Sequence, residues 1–142
     1  NGRREVIRTV RELNKKKGIT VILITHYMEE VIHADRIYVM YAGNMVETAR
    51  SEDLFRRYCH PYTQGLMQCI PKLSGGGISE GIPGHLPDYM DPPPGCRFAP
   101  RCPYAAQECN QAQPPLYEIE PEHYVSCYRY RDQASGVLGG EV

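Results

Sequence analysis

Four cysteines, Cys96, Cys102, Cys109 and Cys127, follow the pattern C-x5-C-x6-C-x17-C in a stretch with too few large aliphatic side chains to fold by burial alone. Ile82-Pro83-Gly84 leads into this stretch, and Pro94-Gly95 and Pro114-Pro115 interrupt it. The chain's 12 prolines and 13 glycines in 142 residues leave little room for long helices or strands there. Such a segment needs a covalent or metal clamp. Three are open: an iron-sulfur cluster, a four-cysteine zinc site, or disulfides. Zinc sites usually carry tight C-x2-4-C knuckles, absent here, and cluster loops accept wider spacing, so spacing alone tilts toward the cluster. Cys59 and Cys69 lie outside the pattern and read as structural thiols. His123 reads as a neighbour of the site, since four thiols already make a full ligand set. Arg97 and Arg101 are either solvated or offset the charge of a thiolate-bound group.

The first half has a different grammar. Val6, Val10 and Leu13 recur at helical spacing with Ile7 beside them, against a charged face of Arg3, Arg4, Arg8, Arg11, Glu12 and Lys15. Asn1 is a fitting N-cap and Gly18 a fitting C′ residue, with Lys15, Lys16 and Lys17 at the negative end of the helix dipole. The run Ile19-Thr20-Val21-Ile22-Leu23-Ile24 is apolar without alternation, the pattern of a strand buried on both faces of a parallel sheet. Thr25-His26 opens a short helix with Glu29 and Glu30 in its first turn, followed by a strand from Arg36 to Tyr41, an Ala42-Gly43-Asn44 turn and a strand from Met45 to Glu47. This reads as the end of a doubly wound α/β sheet, whose usual complement is about five or six strands.

Charge excludes some partners. With 16 Lys+Arg against 17 Asp+Glu, no strong field draws the chain onto nucleic acid or an anionic membrane. The densest apolar run stops at Thr25, far short of the ~20 residues of a membrane span. The chain opens on Asn1 without a signal-peptide core, which reads as an internal starting point. No G-x-x-x-x-G-K-[ST] phosphate loop and no strand ending in paired carboxylates is present, and Gly75-Gly76-Gly77 reads as a linker.

The residues Gly18 to His26, Glu29-Glu30-Val31, Ala34-Asp35-Arg36-Ile37 and Tyr41-Ala42-Gly43 resemble the C-terminal end of the nucleotide-binding subunit of ABC transporters. Residues 2–40 look more like the energy-coupling-factor and cobalt-type ATPases, and Tyr41 onward like the peptide-importing branch. His60-Pro61-Tyr62-Thr63, a helix start with Pro61 in its first turn after the helical stretch Glu52 to Tyr58, resembles a motif of that branch, which imports dipeptides, oligopeptides and in some members nickel. The cysteine segment resembles its C-terminal extension.

The resemblance implies a truncated P-loop nucleotide-binding domain over residues 1–50, a helical connector over 51–73, a four-cysteine extension over 74–132 and a disordered tail over 133–142. It implies that His26 is the switch histidine facing the γ-phosphate of ATP, at the carboxyl edge of the sheet where ligands bind. It also implies a [4Fe-4S] cluster on Cys96, Cys102, Cys109 and Cys127, zinc being the alternative. A cytoplasmic setting argues against disulfides. The implied parent hydrolyses ATP with Mg at the cytoplasmic face of the membrane, paired with a second ATPase subunit under two transmembrane permease subunits and served indirectly by an extracytoplasmic solute-binding protein. Alone, this chain lacks the phosphate loop and is expected to be inactive. The competing reading is a standalone iron-sulfur or zinc-binding module without a transport role.

Overall fold

A computed structural model describes residues 2–69 and 81–139. Asn1, Ile70-Pro71 and the Gly75-Gly76-Gly77 linker, with their expected roles, lie outside the described residues. The chain divides into two compact units, residues 1–33 and 34–142. This break falls before the first strand and not at residue 50, because the strand that ends at Arg50 is hydrogen-bonded into the cysteine segment.

In the first unit, helix α1 spans Gly2–Lys17 and α2 spans Met28–Val31. Gly18 ends α1 as expected: its φ of 64° is a left-handed conformation that only glycine adopts without strain, and its N–H donates to Asn14 O at 2.8 Å. Arg3 lies 4.0 Å over the Tyr27 ring and pairs with Glu30 at 3.3 Å, while the Thr25 hydroxyl donates to Glu30 at 2.5 Å. The apolar run after Gly18 departs from expectation. Residues 19–24 form no strand, and Ile22 and Ile24 are 87 % and 93 % exposed. A two-sided strand takes its hydrogen bonds and its apolar cover from parallel neighbours; among the described residues every strand pairing is antiparallel.

The second unit is built on that antiparallel sheet, a correction to the expected parallel one. Strands β1 (Arg36–Tyr41), β2 (Asn44–Arg50), β3 (Tyr117–Glu120), β4 (His123–Val125) and β5 (Gly136–Val137) lie in the order β1-β2-β4-β3-β5. Ala42 and Gly43, with φ of 49° and 83°, make the tight turn that matches the twist of a β1–β2 hairpin. Along β1 the burial alternates: Ile37, Val39 and Tyr41 face the core, Tyr38 and Met40 solvent. Along β2 it does not alternate, and Val46, Glu47, Thr48 and Ala49 are all buried. The strand is covered on both faces. Its outer edge takes β4 in the register Glu47↔Val125 and Thr48↔Tyr124, extended by the Ser126 N–H to Val46 O at 2.8 Å.

Helix α3 (Ser51–Arg56) sinks Leu54 into the core, and Arg56 and Arg57 both reach Glu120 of β3 at 2.7 Å. Helix α4 (Pro61–Cys69) opens on proline, whose missing N–H costs nothing in a first turn. The tail read as disordered instead carries β5: Gly136 pairs with Glu118 and Val137 with Tyr117, and the Leu138 N–H donates to Leu116 O at 2.9 Å. Among the described residues no helix is long and apolar enough to cross a membrane.

Candidate metal centre

The four cysteines of the spaced pattern come together. All of them line one cavity of about 110 Å³, shared with His60 and Phe98. Local backbone geometry brings them there. Gly95 runs so close to the Cys109–Asn110 backbone that a Cβ would overlap the Cys109 carbonyl oxygen and sit 2.8 Å from Asn110 Cα. This approach lets the Cys96 N–H donate to Cys109 O at 2.7 Å. A 3-10 turn, Ala99–Arg101, then returns the chain so that the Cys102 N–H reaches Ala99 O at 3.1 Å. Cys109 lies in another 3-10 turn, Gln107–Asn110, and Cys127 enters from the end of the β4 segment and leads into a third, Tyr128–Gln133.

Each sulfur meets backbone N–H groups. Those of Phe98 and Ala99 reach Cys96, that of Tyr104 reaches Cys102 and that of Arg129 reaches Cys127. The Ala106 N–H lies 3.5 Å from the Cys109 sulfur. Burial nevertheless pushes the thiols of Cys96 and Cys102 up, and that of Cys127 to about 11, helped by the nearness of the other cysteines. Burial thus favours the protonated form of Cys96, Cys102 and Cys127, and the N–H groups would favour their thiolates once a cation was bound. None of the four is in a disulfide.

The spacing of the sulfurs bears on what they fit. Four thiolates on one zinc ion stand about 3.8 Å apart, from a Zn–S distance of about 2.3 Å and tetrahedral geometry. Among the described residues no three of these thiols lie all within 4.8 Å of one another. What the structure gives is four cysteines around one cavity, the number of thiolates that either a four-cysteine zinc site or an iron-sulfur cluster takes.

Among the described residues, Glu47, Cys59 and His123, all buried, do lie within 4.8 Å of one another. Glu47 was not singled out by the sequence, and the only hint was a charge inside an otherwise buried β2. Its carboxylate, 0 % exposed, accepts the Cys59 N–H at 2.8 Å, the His60 N–H at 2.9 Å and His123 Nε2 at 2.8 Å. Three donors satisfy a buried anion and fasten β2, the start of α4 and β4 at one point. His123 thus serves this clasp and does not line the thiol cavity, and Cys59, its thiol pushed up by burial and by Glu47, is a core residue. Cys69, at the end of α4, is half-buried outside that cavity.

The arginines are also reassigned. Arg97 donates to the Ala42 carbonyl in the hairpin turn. Arg101 donates to the carbonyls of Ile82 and, at 3.0 Å, Pro83. Both fasten backbone. The cation beside the cysteines is Arg129, 3.9 Å over the Tyr104 ring and close enough to favour the thiolates of Cys102 and Cys127. His26 lies in the first unit, exposed, just after the irregular segment and 4.1 Å from the Tyr27 ring between centroids.

Residues 46–109 match the family described as the C-terminal region of oligopeptide/dipeptide transporters. That segment holds the HPYT helix start, the clasp carboxylate and three of the four cysteines. It is similar to a peptide-transporter C-terminal region. The similarity extends beyond it: a dipeptide transport ATP-binding protein of Bacillus subtilis is 38 % identical over 141 residues, 97 % of this chain and 42 % of that protein. An oligopeptide transport ATP-binding protein of the same organism is 39 % identical over 133 residues, 92 % of this chain and 40 % of its own length. A dipeptide transport ATP-binding protein of Haemophilus influenzae is 42 % identical over 117 residues, 81 % of this chain and 36 % of its own. The chain spans about two fifths of the length of these relatives. The match to the first runs across residue 41, so the transporter region and the segment before it are found together in one relative.

Proposed function

We propose that this chain is the C-terminal part of the ATP-hydrolysing subunit of an ABC importer for dipeptides or oligopeptides. The similarity along 97 % of the chain to a dipeptide transport ATP-binding protein carries the reading. In the whole subunit, ATP and Mg are bound by parts that relatives possess beyond the matched two fifths, and His26 contacts the γ-phosphate. The subunit works at the cytoplasmic face of the membrane with a second ATPase subunit and two permease subunits, fed by a solute-binding protein. Residues 19–24 become the buried strand when that domain supplies parallel neighbours, which brings His26 to the carboxyl edge of the sheet. Cys96, Cys102, Cys109 and Cys127 hold a [4Fe-4S] cluster, whose full ligand set they match. Convergence on one cavity and N–H groups at every sulfur support a thiolate-bound metal group, and the wide spacing without C-x2-4-C knuckles favours the cluster over zinc.

The test of His26 is made in a full-length subunit. His26→Ala leaves nucleotide binding in place and lowers hydrolysis about 100-fold or more, the scale for losing one transition-state donor. Equal turnover rejects the assignment. Metal analysis of anaerobically purified chain tests the cysteines: iron with acid-labile sulfide supports the cluster, stoichiometric zinc without sulfide the zinc site.

A further inference from the structure

His60 belongs to the HPYT helix start, whose sequence suggests only packing. Its place in the second unit is more specific. The backbone N–H is held by Glu47 and the ring is 1 % exposed, 5.8 Å from the Phe98 ring between centroids. Nδ1 accepts the Tyr62 N–H at 3.0 Å. A neutral imidazole whose Nδ1 is an acceptor carries its proton on Nε2. This ring lines the cavity formed by the four cysteines.

Of the other polar side chains around the cavity, Arg129 stands beside Cys102 and Cys127. Glu108 is paired with Arg131 at 2.7 Å, the Tyr128 hydroxyl donates to Ala112 O at 3.1 Å, and Arg129 lies on the Tyr104 ring. We propose that His60 is a side-chain hydrogen-bond donor, through Nε2–H, to the sulfur of the cluster held by Cys96, Cys102, Cys109 and Cys127, and that this bond raises the cluster's reduction potential. The proposal rests on the cluster reading above. His60 is a positioning residue and not a ligand, because four thiolates complete the set. A hydrogen bond to sulfur strengthens as the cluster gains an electron, so it favours the reduced state and raises the potential.

The chain is reconstituted anaerobically with iron and sulfide and titrated through its redox transition by absorption and electron paramagnetic resonance, beside His60→Leu and His60→Gln. The expected result is unchanged iron and sulfide content, a lower potential in His60→Leu, and a return toward the parent value in His60→Gln, whose amide can donate. Equal potentials in parent and His60→Leu overturn the proposal. Where His60→Leu does not load, the parent labelled with 15N-histidine decides. A weak coupling of one histidine nitrogen to the cluster, lost in His60→Gln, supports the bond. No coupling, or one as strong as that of a directly bound nitrogen, overturns it. A parent chain that takes up no more iron and sulfide than Cys96→Ser overturns the cluster reading, and this proposal with it.

Discussion

Residues 19–24 and residues 44–50 are both strand-like stretches, and they end in opposite circumstances. The first is the most apolar run in the chain and is largely exposed; the second contains Glu47, Thr48 and Arg50 and is the most deeply buried. What separates them is partners. β2 has β1 on one edge, β4 on the other and cover on both faces, including a complete set of donors for its carboxylate. Burial is granted by neighbours, and a hydrophobic sequence is only a request for them.

The comparison breaks most violently at Glu47. Glu47→Ala strands two backbone N–H groups and His123 in the core, each costing ~1–3 kcal/mol unpaired, so the second unit loses about 4 kcal/mol or more. That is roughly a 15 °C fall in its thermal midpoint, and hydrogen exchange should show α1 unaffected. A midpoint within a few degrees of the parent would mean that the clasp is not a stabilising element. A smaller loss, about 3 kcal/mol, is expected for Leu54→Ala, which opens a cavity at a position with no exposure; chemical denaturation measures it, and a loss under about 1 kcal/mol would show that α3 is not part of the cooperative core.

Next in size is a pH effect. Burial pushes His60 down to about 4, below its ordinary value of 6.5, although Glu47 acts to raise it. The unfolded chain therefore binds the extra proton first, and stability is fully present above about pH 6.5 and falls as the pH drops toward 4. The scale is about 3 kcal/mol over that window. Denaturation midpoints at pH 7 and pH 4.5 should differ in the parent by more than in His60→Gln, and equal slopes would place the titration elsewhere. The smallest effect belongs to the exposed run. Ile24→Asn should change the stability of this chain by no more than about 0.5 kcal/mol, while the same change in a full-length subunit should be strongly destabilising. A large loss in the short chain would contradict the exposed segment.

Sequence reasoning read the elements that local signals specify. Helix α1 and its Gly18 stop, β1, the Ala42-Gly43 turn, β2 and the Pro61 start all rest on contacts within a few residues. It missed β3, β4 and β5, because Tyr117–Glu120, His123–Val125 and Gly136–Val137 are too short to show a period and are defined by pairings to distant strands. The convergence of the four cysteines was legible from composition, since a segment so poor in aliphatic residues leaves few other ways to fold. Glu47 and His60 were not, because their roles depend on which polar atoms the fold brings within 3 Å of them. The exposed state of residues 19–24 could not be read from the run itself, whose sequence carries no information about absent neighbours.

The close approach at Gly95 also bears on the order in which the centre is assembled. Peptide geometry holds Cys96 beside Cys109. Under the cluster reading proposed above, an incoming iron atom would meet a two-pronged landing place whose loop is already closed, with the entropy of that closure charged to the folding of the chain and not to its maturation. Any side chain at position 95 would separate the two prongs and turn a docking event into a search.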